Sequence, residues 1–209
     1  MSNYGQTLRG RNFLVLIDGV PQSTPLRDAA RDLRTIDPAA IERIEVIRGS
    51  TAVYGFGAAG GIVNIITRQP RKGEQLRSTT IGADVALTHP GDSWGGSLSQ
   101  TVSGGNERFD YLLSLTGETI GSFFDAEGDR IPPDPLGAQG GLADTDAVNL
   151  LGKVGMDLNN QRLQFTTNYY DEIKQDTDFI TQPGVLRSQK AIAVPGDPGG
   201  TNPGMRTSI

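Results

Sequence analysis

A small α+β domain followed by antiparallel strands of a transmembrane β-barrel is the fold class that this sequence predicts, on three observations. First, the texture changes near residues 70–74. Up to Arg68, short apolar runs mix with one helical stretch, whereas from Gln75 the side chains alternate with period two. Second, the alternating segments are about ten residues long, enough to cross a bilayer when tilted. Third, 28 glycines and 12 prolines in 209 residues favour turns over long helices.

In the first region, Phe13 to Ile17 reads as a buried strand closed by the turn Asp18-Gly19. Asp28 to Leu33 suits a short helix. Asp37 and Pro38 form an N-cap and first-turn proline pair, with a helical turn over Ala39 to Ile41. Ile44 to Ile47 and Ile62 to Ile66 read as two more strands, the second after a glycine-rich loop.

In the second region five segments alternate. Thr79, Ile81, Ala83, Val85 and Leu87 form one stripe. Trp94, Leu98 and Val102 form the next, opposite Ser97, Ser99, Thr101 and Ser103. Phe109, Tyr111, Leu113 and Leu115 oppose Asp110, Leu112, Ser114, Thr116 and Glu118. Val148, Leu150, Val154, Met156 and Leu158 oppose Asn149, Leu151, Lys153, Gly155 and Asp157. Leu163, Phe165, Thr167 and Tyr169 oppose Arg162, Gln164, Thr166, Asn168 and Tyr170. Gly104-Gly105-Asn106 and Asn159-Asn160-Gln161 are tight hairpin turns. A polar loop over Gly121 to Ala147 lies between them. Short turns at one end and longer loops at the other suit an outer-membrane barrel.

Strand pattern alone fits a soluble sandwich as well as a membrane barrel. Two details favour the membrane: the segment length, and Lys153, Gln164 and Asn168 in mid-strand, which a dry core would not accept without partners.

Composition excludes several classes. Hydrophobic residues make up 36% and charged residues 21%, a low apolar fraction for a compact core. With Lys+Arg 19 against Asp+Glu 24, the net charge of -5 offers no basic face for nucleic acid. The absence of cysteine excludes disulfides and thiolate metal sites. No run approaches the roughly eighteen apolar residues of a spanning helix. Met1 to Arg11 lacks the apolar segment of a signal peptide, so a secreted protein would have its N-terminus further upstream.

Candidate chemistry is sparse. Gly55, Gly57 and Gly60 spell G-x-G-x-x-G, but the strand-like Gly61 to Thr67 follows where a phosphate-binding loop needs a helix. The glycines are instead expected where backbone bends in a crowded space. His89, the only histidine, is expected as a solvated loop residue, and one histidine builds no ordinary metal cluster. Asp18 fits a turn role better than a catalytic one. Asp125, Glu127 and Asp129 alternate like a calcium loop but lack its closing glutamate. No hydrolase or metalloprotease motif is present, so the expectation is a protein without cofactor or catalytic residues.

Three blocks carry a resemblance: Leu14-Val15-Leu16-Ile17-Asp18-Gly19-Val20-Pro21; Ile41-Glu42-Arg43-Ile44-Glu45-Val46-Ile47-Arg48-Gly49-Ser50, continuing through Val53-Tyr54-Gly55; and Gly60-Gly61-Ile62-Val63-Asn64-Ile65-Ile66-Thr67-Arg68. In this order and spacing they resemble the plug domain of TonB-dependent outer-membrane receptors, and Leu8-Arg9-Gly10 fits that family's earlier Arg-Gly element. The resemblance implies residues 1–70 as the later part of a plug. It implies residues 71–209 as about five of the strands of a 22-stranded plugged barrel.

It further implies a Gram-negative outer-membrane receptor, with outer-membrane lipid around it and a TonB complex as energy source. The cargo implied first is a ferric siderophore, with cobalamin or a glycan as alternatives. A soluble β-rich binding domain is the rival class. A fragment of this extent should neither close a barrel nor transport.

In the family, arginines at the positions of Arg9 and Arg48 pair with glutamates on the barrel wall. Arg9, Arg48 and Glu45 are therefore the candidate plug–barrel contacts, with the wall partners expected beyond Ile209. Glu42, Arg43 and Glu45 are also candidates for polar contacts within the plug. The loop after the Asp-Gly turn is implied to face the outside, which makes Gln22, Ser23 and Thr24 candidate ligand contacts, together with residues near Pro38.

Overall fold

The computed structural model describes residues 7–22, 36–50, 52–54, 57–70, 73–132, 143–174, 179–186, 188–196 and 205–208. Its strands are β1 (Leu14–Ile17), β2 (Val20–Pro21), β3 (Ile41–Arg48), β4 (Gly61–Thr67), β5 (Leu76–Asp84), β6 (Gly95–Gly105), β7 (Phe109–Ile120), β8 (Thr145–Leu158), β9 (Gln161–Lys174), β10 (Phe179–Gln182), β11 (Ile192–Pro195) and β12 (Met205–Ser208). They form a four-stranded sheet in the order β2-β1-β4-β3, a six-stranded sheet in the order β12-β9-β8-β7-β6-β5, and the separate hairpin β10-β11.

The small sheet is mixed. β1 is a continuous apolar run because neither of its faces sees water: Leu14, Val15, Leu16 and Ile17 are all buried. It runs parallel to β4 and antiparallel to β2. The β1–β2 turn puts Asp18 at φ 49 and Gly19 at φ 83, the doubly left-handed conformation of a two-residue hairpin turn. Asp37 caps a 3-10 turn over Pro38–Ala40, its Oδ1 accepting from Ala39 N at 2.9 Å. The expected helical turn is therefore there, but it is 3-10 and gives way to β3 at Ile41. The helix expected over Asp28 to Leu33 lies outside the described residues, as do Gly55 and Phe56 of the glycine motif.

The glycine-rich loop feeds a strand, and its glycines mark close backbone crossings. A Cβ on Gly60 would lie 2.8 Å from the carbonyl oxygens of Arg11 and Leu8. One on Gly61, at φ +127, would lie 2.4 Å from Ile47 O. Positions 60 and 61 have no room for side chains, and a pyrophosphate-binding helix is absent among the described residues.

The large sheet is an antiparallel meander from β5 to β9, with the short β12 added beside β9. Five long strands match the five alternating segments. The ends shift at two places: Val85, Leu87 and Trp94 fall outside β5 and β6, in a connection closed by the Ser93 hydroxyl, which bonds Ala86 N and His89 O.

Burial on this sheet is inverted relative to a soluble protein. Along β8, Thr145, Ala147, Asn149, Leu151, Lys153 and Gly155 are buried, while Val148, Val154, Met156 and Leu158 are exposed. β7 repeats the pattern, with Asp110, Leu112, Ser114 and Thr116 buried and Phe109, Leu113 and Leu115 exposed. On β9 the exposed stripe continues through Leu163 and Phe165. An apolar face left open and a polar face covered are what a lipid-facing wall requires, and a water-soluble sandwich buries the opposite set.

One substitution separates the two. Leu115 is 50% exposed, so in a soluble sheet Leu115→Arg would change stability by only about 0.5 kcal/mol. Facing the bilayer middle it is expected to cost about 2–4 kcal/mol. Urea titration of the chain folded in detergent or lipid measures the difference.

Candidate functional site at the contact between the small sheet and the wall

The covered polar face of the wall is covered by the small sheet. Phe13, Val15, Ile17, Ile36, Ala40 and Ile65 form one apolar cluster with Leu112 of β7 and Leu151 of β8. Leu14, Leu16, Ala58 and Ile62 form a second cluster on the sheet's other face. Around the shared cluster two carboxylates of the small domain reach polar groups of the wall.

Asp18 is held by the β1–β2 turn. Its Oδ1 accepts from Thr67 N at 2.9 Å and its Oδ2 from Thr67 Oγ1 at 2.7 Å. The same Oδ2 lies 2.8 Å from Lys153 Nζ on β8. Lys153 is 1% exposed, and a buried ammonium needs a counter-charge. Asp18 is the partner that lets this lysine sit in the middle of a covered strand. The turn role expected for Asp18 therefore holds, and the residue also ties the small sheet to the wall.

Asp37 divides its oxygens in the same way. Oδ1 caps the 3-10 turn, while Oδ2 accepts from Ser99 Oγ at 3.1 Å and from Thr116 Oγ1. Those two hydroxyl oxygens also stand 2.8 Å apart and, with one proton each, make two of the three contacts at a time; Thr101 and Ser114 pair at 2.8 Å one step along the strands. The Ser/Thr face of β6 and β7 is thus a satisfied hydroxyl ladder and not an empty polar surface.

Arg9 sits at φ 56 beside Gly10 in a tight turn closed by Leu8 and Arg11, and it is exposed. Arg48 ends β3 and is exposed. Neither forms an ion pair with another described residue. Glu45 is engaged inside the small sheet, taking Arg43 at 2.8 Å and Asn64 Nδ2 at 3.3 Å; Glu42 joins at 3.3 Å from Arg43. Gln22 is half-buried and bonds back to Val20 O at 3.1 Å. Ser23 and Thr24 lie outside the described residues. Of the mid-strand polar residues, Lys153 and Asn168 are buried, whereas Gln164 is exposed.

The site residues that sequence reasoning missed are Lys153 as the partner of Asp18, and Ser99 and Thr116 as partners of Asp37. A charged residue on the polar side of an alternating strand was the one available signal for Lys153.

At the end of the wall away from the tight turns, three connections meet at Arg130. Its guanidinium lies 4.1 Å from the ring centre of Phe179 and 5.5 Å from that of Phe124. It stands 3.6 Å from both Asp92 and Asp144 and donates to Ser122 Oγ. His89 stacks on Phe124 at 4.1 Å, so the ring expected in solvent is half-buried instead, because Phe124 supplies a flat apolar surface for it. Lys190 bonds Asp125 and lies 3.3 Å from Asp129. Its ammonium occupies the place where the alternating acids suggested a calcium loop. Among the described residues no group of acids or histidine is arranged to hold a metal.

A mixed sheet lodged against the polar face of an antiparallel wall, with that wall's apolar face open, defines a plugged β-barrel membrane protein. The chain's similarities support a fragment of a TonB-dependent receptor. Residues 2–62 match the family model described as the TonB-dependent Receptor Plug Domain. The Rhizobactin receptor of Rhizobium meliloti (strain 1021) is 34% identical over 180 residues, covering 85% of this chain and 24% of that receptor. The Ferric aerobactin receptor of Klebsiella pneumoniae is 36% identical over 179 residues, with the same coverage of 85% and 24%. In three dimensions the chain is similar to the ferric enterobactin receptor PfeA, solved from Pseudomonas aeruginosa. The TM-score is 0.59 at 26% identity over 78% of this chain and 25% of that one. The chain spans about a quarter of the length of the curated relatives it matches.

Proposed function

We propose that the chain is the plug and first wall strands of a Gram-negative outer-membrane receptor. This receptor takes up a ferric siderophore with energy delivered through a TonB complex. The observation that carries this reading is the inverted wall, apolar outward and polar inward, with the plug docked on its polar side. Curated relatives along 85% of the chain are receptors named for rhizobactin and ferric aerobactin, which supports an iron-loaded siderophore over cobalamin or a glycan. The role is binding and passage, not catalysis.

Within this reading residues 1–70 act as plug and 71–209 as wall. Arg9, Arg48 and Glu45 face wall segments that complete the barrel. Gln22, Ser23 and Thr24 are the proposed ligand contacts. Arg48→Ala in the complete receptor is expected to loosen the plug and raise passive permeability; unchanged permeability and uptake would remove Arg48 from that role.

The test of the function is iron uptake by iron-starved cells that depend on the receptor carrying this chain. Labelled iron offered as ferric aerobactin or rhizobactin should enter, and entry should stop when TonB is deleted. Entry that persists without TonB, or that occurs for cobalamin or a glycan but for neither siderophore, overturns it.

A further inference from the structure

Among the described strands the hairpin β10–β11 forms a two-stranded sheet of its own: Phe179 to Gln182 oppose Pro195 to Ile192. It belongs to neither of the apolar clusters. Ile180, Val185, Leu186 and Ile192 are all exposed. Its contacts to the rest of the described chain are of another kind. Phe179 lies under the Arg130 guanidinium at 4.1 Å. Lys190, between the two strands, bonds Asp125 and reaches Asp129 in the β7–β8 connection. That connection is itself rigid at this point: Asp125 Oδ1 accepts from Glu127 N at 3.1 Å and Asp129 N at 2.8 Å, and Asp125 N donates to Asp129 O at 2.9 Å.

We propose that β10–β11 is a detachable flap at the loop end of the wall, clasped to the β7–β8 connection by Lys190 on Asp125 and Asp129 and by Phe179 under Arg130. The physical reason is the mismatch between the two sides. Residues 121–132 of the β7–β8 connection have their turn prearranged and Arg130 pinned by Ser122, Asp92 and Asp144, so that part is expected to keep its shape whether or not the flap is present. The flap joins neither apolar cluster among the described residues. Lys190 is half exposed, and exposed ion pairs are weak and screened by salt. An element held in this way opens at far smaller cost than the wall or the plug, which is the property expected of a moving part. The end is the cell exterior only under the receptor reading, but the clasp itself does not depend on that reading.

Charge state supports the clasp. Lys190 pushes the Asp125 carboxyl below the usual carboxylate range by direct hydrogen bonding, and Asp125 in turn raises the lysine. The sign follows from these directions. A lowered carboxyl pKa stabilises the clasp above the ordinary value of 3.8, and the gain is lost as pH falls through the lowered value. A raised lysine pKa stabilises it below 10.5, and that gain is lost as pH rises through the raised value. The clasp is closed between. The other charged or titratable groups facing it are Asp129, Glu127, Arg130, Asp92, Asp144 and the His89 ring stacked on Phe124.

The chain contains no cysteine, so Glu127→Cys and Gln182→Cys place two spin labels without further change. In the complete 209-residue chain in detergent micelles, at neutral pH and low salt, one short label distance is expected. Molar salt, Lys190→Met or Arg130→Lys should each shift most of the population to longer, broader distances. Amide exchange of β6 to β8 should stay unchanged, which keeps the fate of the membrane wall separate from that of the flap. Arg130→Lys is included because lysine keeps the charge but not the flat stacking surface. Lys190→Arg should hold the short distance. A distribution that ignores salt, Lys190→Met and Arg130→Lys alike, or one already broad in the unsubstituted chain at low salt, overturns the proposal.

Discussion

Lys153→Ala is expected to weaken plug docking by about 3 kcal/mol, the low end of the range for breaking a buried pair. Lys153 is 1% exposed and its ammonium stands 2.8 Å from Asp18 Oδ2. Removing it strands a carboxylate beneath the plug. The loss stays at the low end because Asp18 is 17% exposed and keeps two donors from Thr67. Asp18→Asn with Lys153→Met removes both charges and should recover most of the loss, since apolar replacement of a whole buried pair is often neutral. Urea titration in detergent, read by amide exchange of Thr67 and its β1 neighbours, measures both variants. If the single variant matches the parent, the pair contributes nothing to docking.

Gly61→Ala is expected to cost about 3 kcal/mol or more and to prevent the plug sheet from closing. Two penalties coincide there. The residue sits at φ +127, and an added Cβ would lie 2.4 Å from Ile47 O, a backbone atom of the strand it pairs with. A rotamer change cannot relieve a clash with a carbonyl. Gly73→Ala is the control: its φ is +78 but nothing lies within 4 Å, so only the conformational penalty of about 1 kcal/mol remains. Yield of folded chain and urea midpoint compare the two. Equal effects at both positions would show that crowding at Gly61 is not what matters.

The sequence made the wall legible because period-two alternation reports a two-sided environment directly. Leu113 and Leu115 against Ser114 and Thr116 needed only parity to be sorted into faces, and the structure keeps that sorting. Buried β1 was legible for a related reason, since five consecutive apolar residues leave no face for water. The Asp37 cap was readable because its hydrogen bond is local. Its second oxygen was not, because Ser99 and Thr116 are brought to it by docking of distant segments. The same holds for Lys153: its charge marked the polar face, but nothing local points from position 153 to Asp18. Side chains past the strand ends, such as Val85 and Trp94, were assigned too regularly. The connection there is set by Ser93, whose hydroxyl turns the chain before the alternation ends.

The wall begins at β5, nine residues from Leu76 to Asp84 whose one hydrogen-bonded neighbour among the described strands is β6. On its other flank no described strand meets its row of amide and carbonyl groups, and Ile81 stands 78% exposed beside it. Such a rim is adhesive: it templates whatever extended backbone reaches it first. Purified by itself, the chain is therefore expected to pair rim to rim when concentrated, so work on single chains calls for dilute micelles or a proline set into that rim.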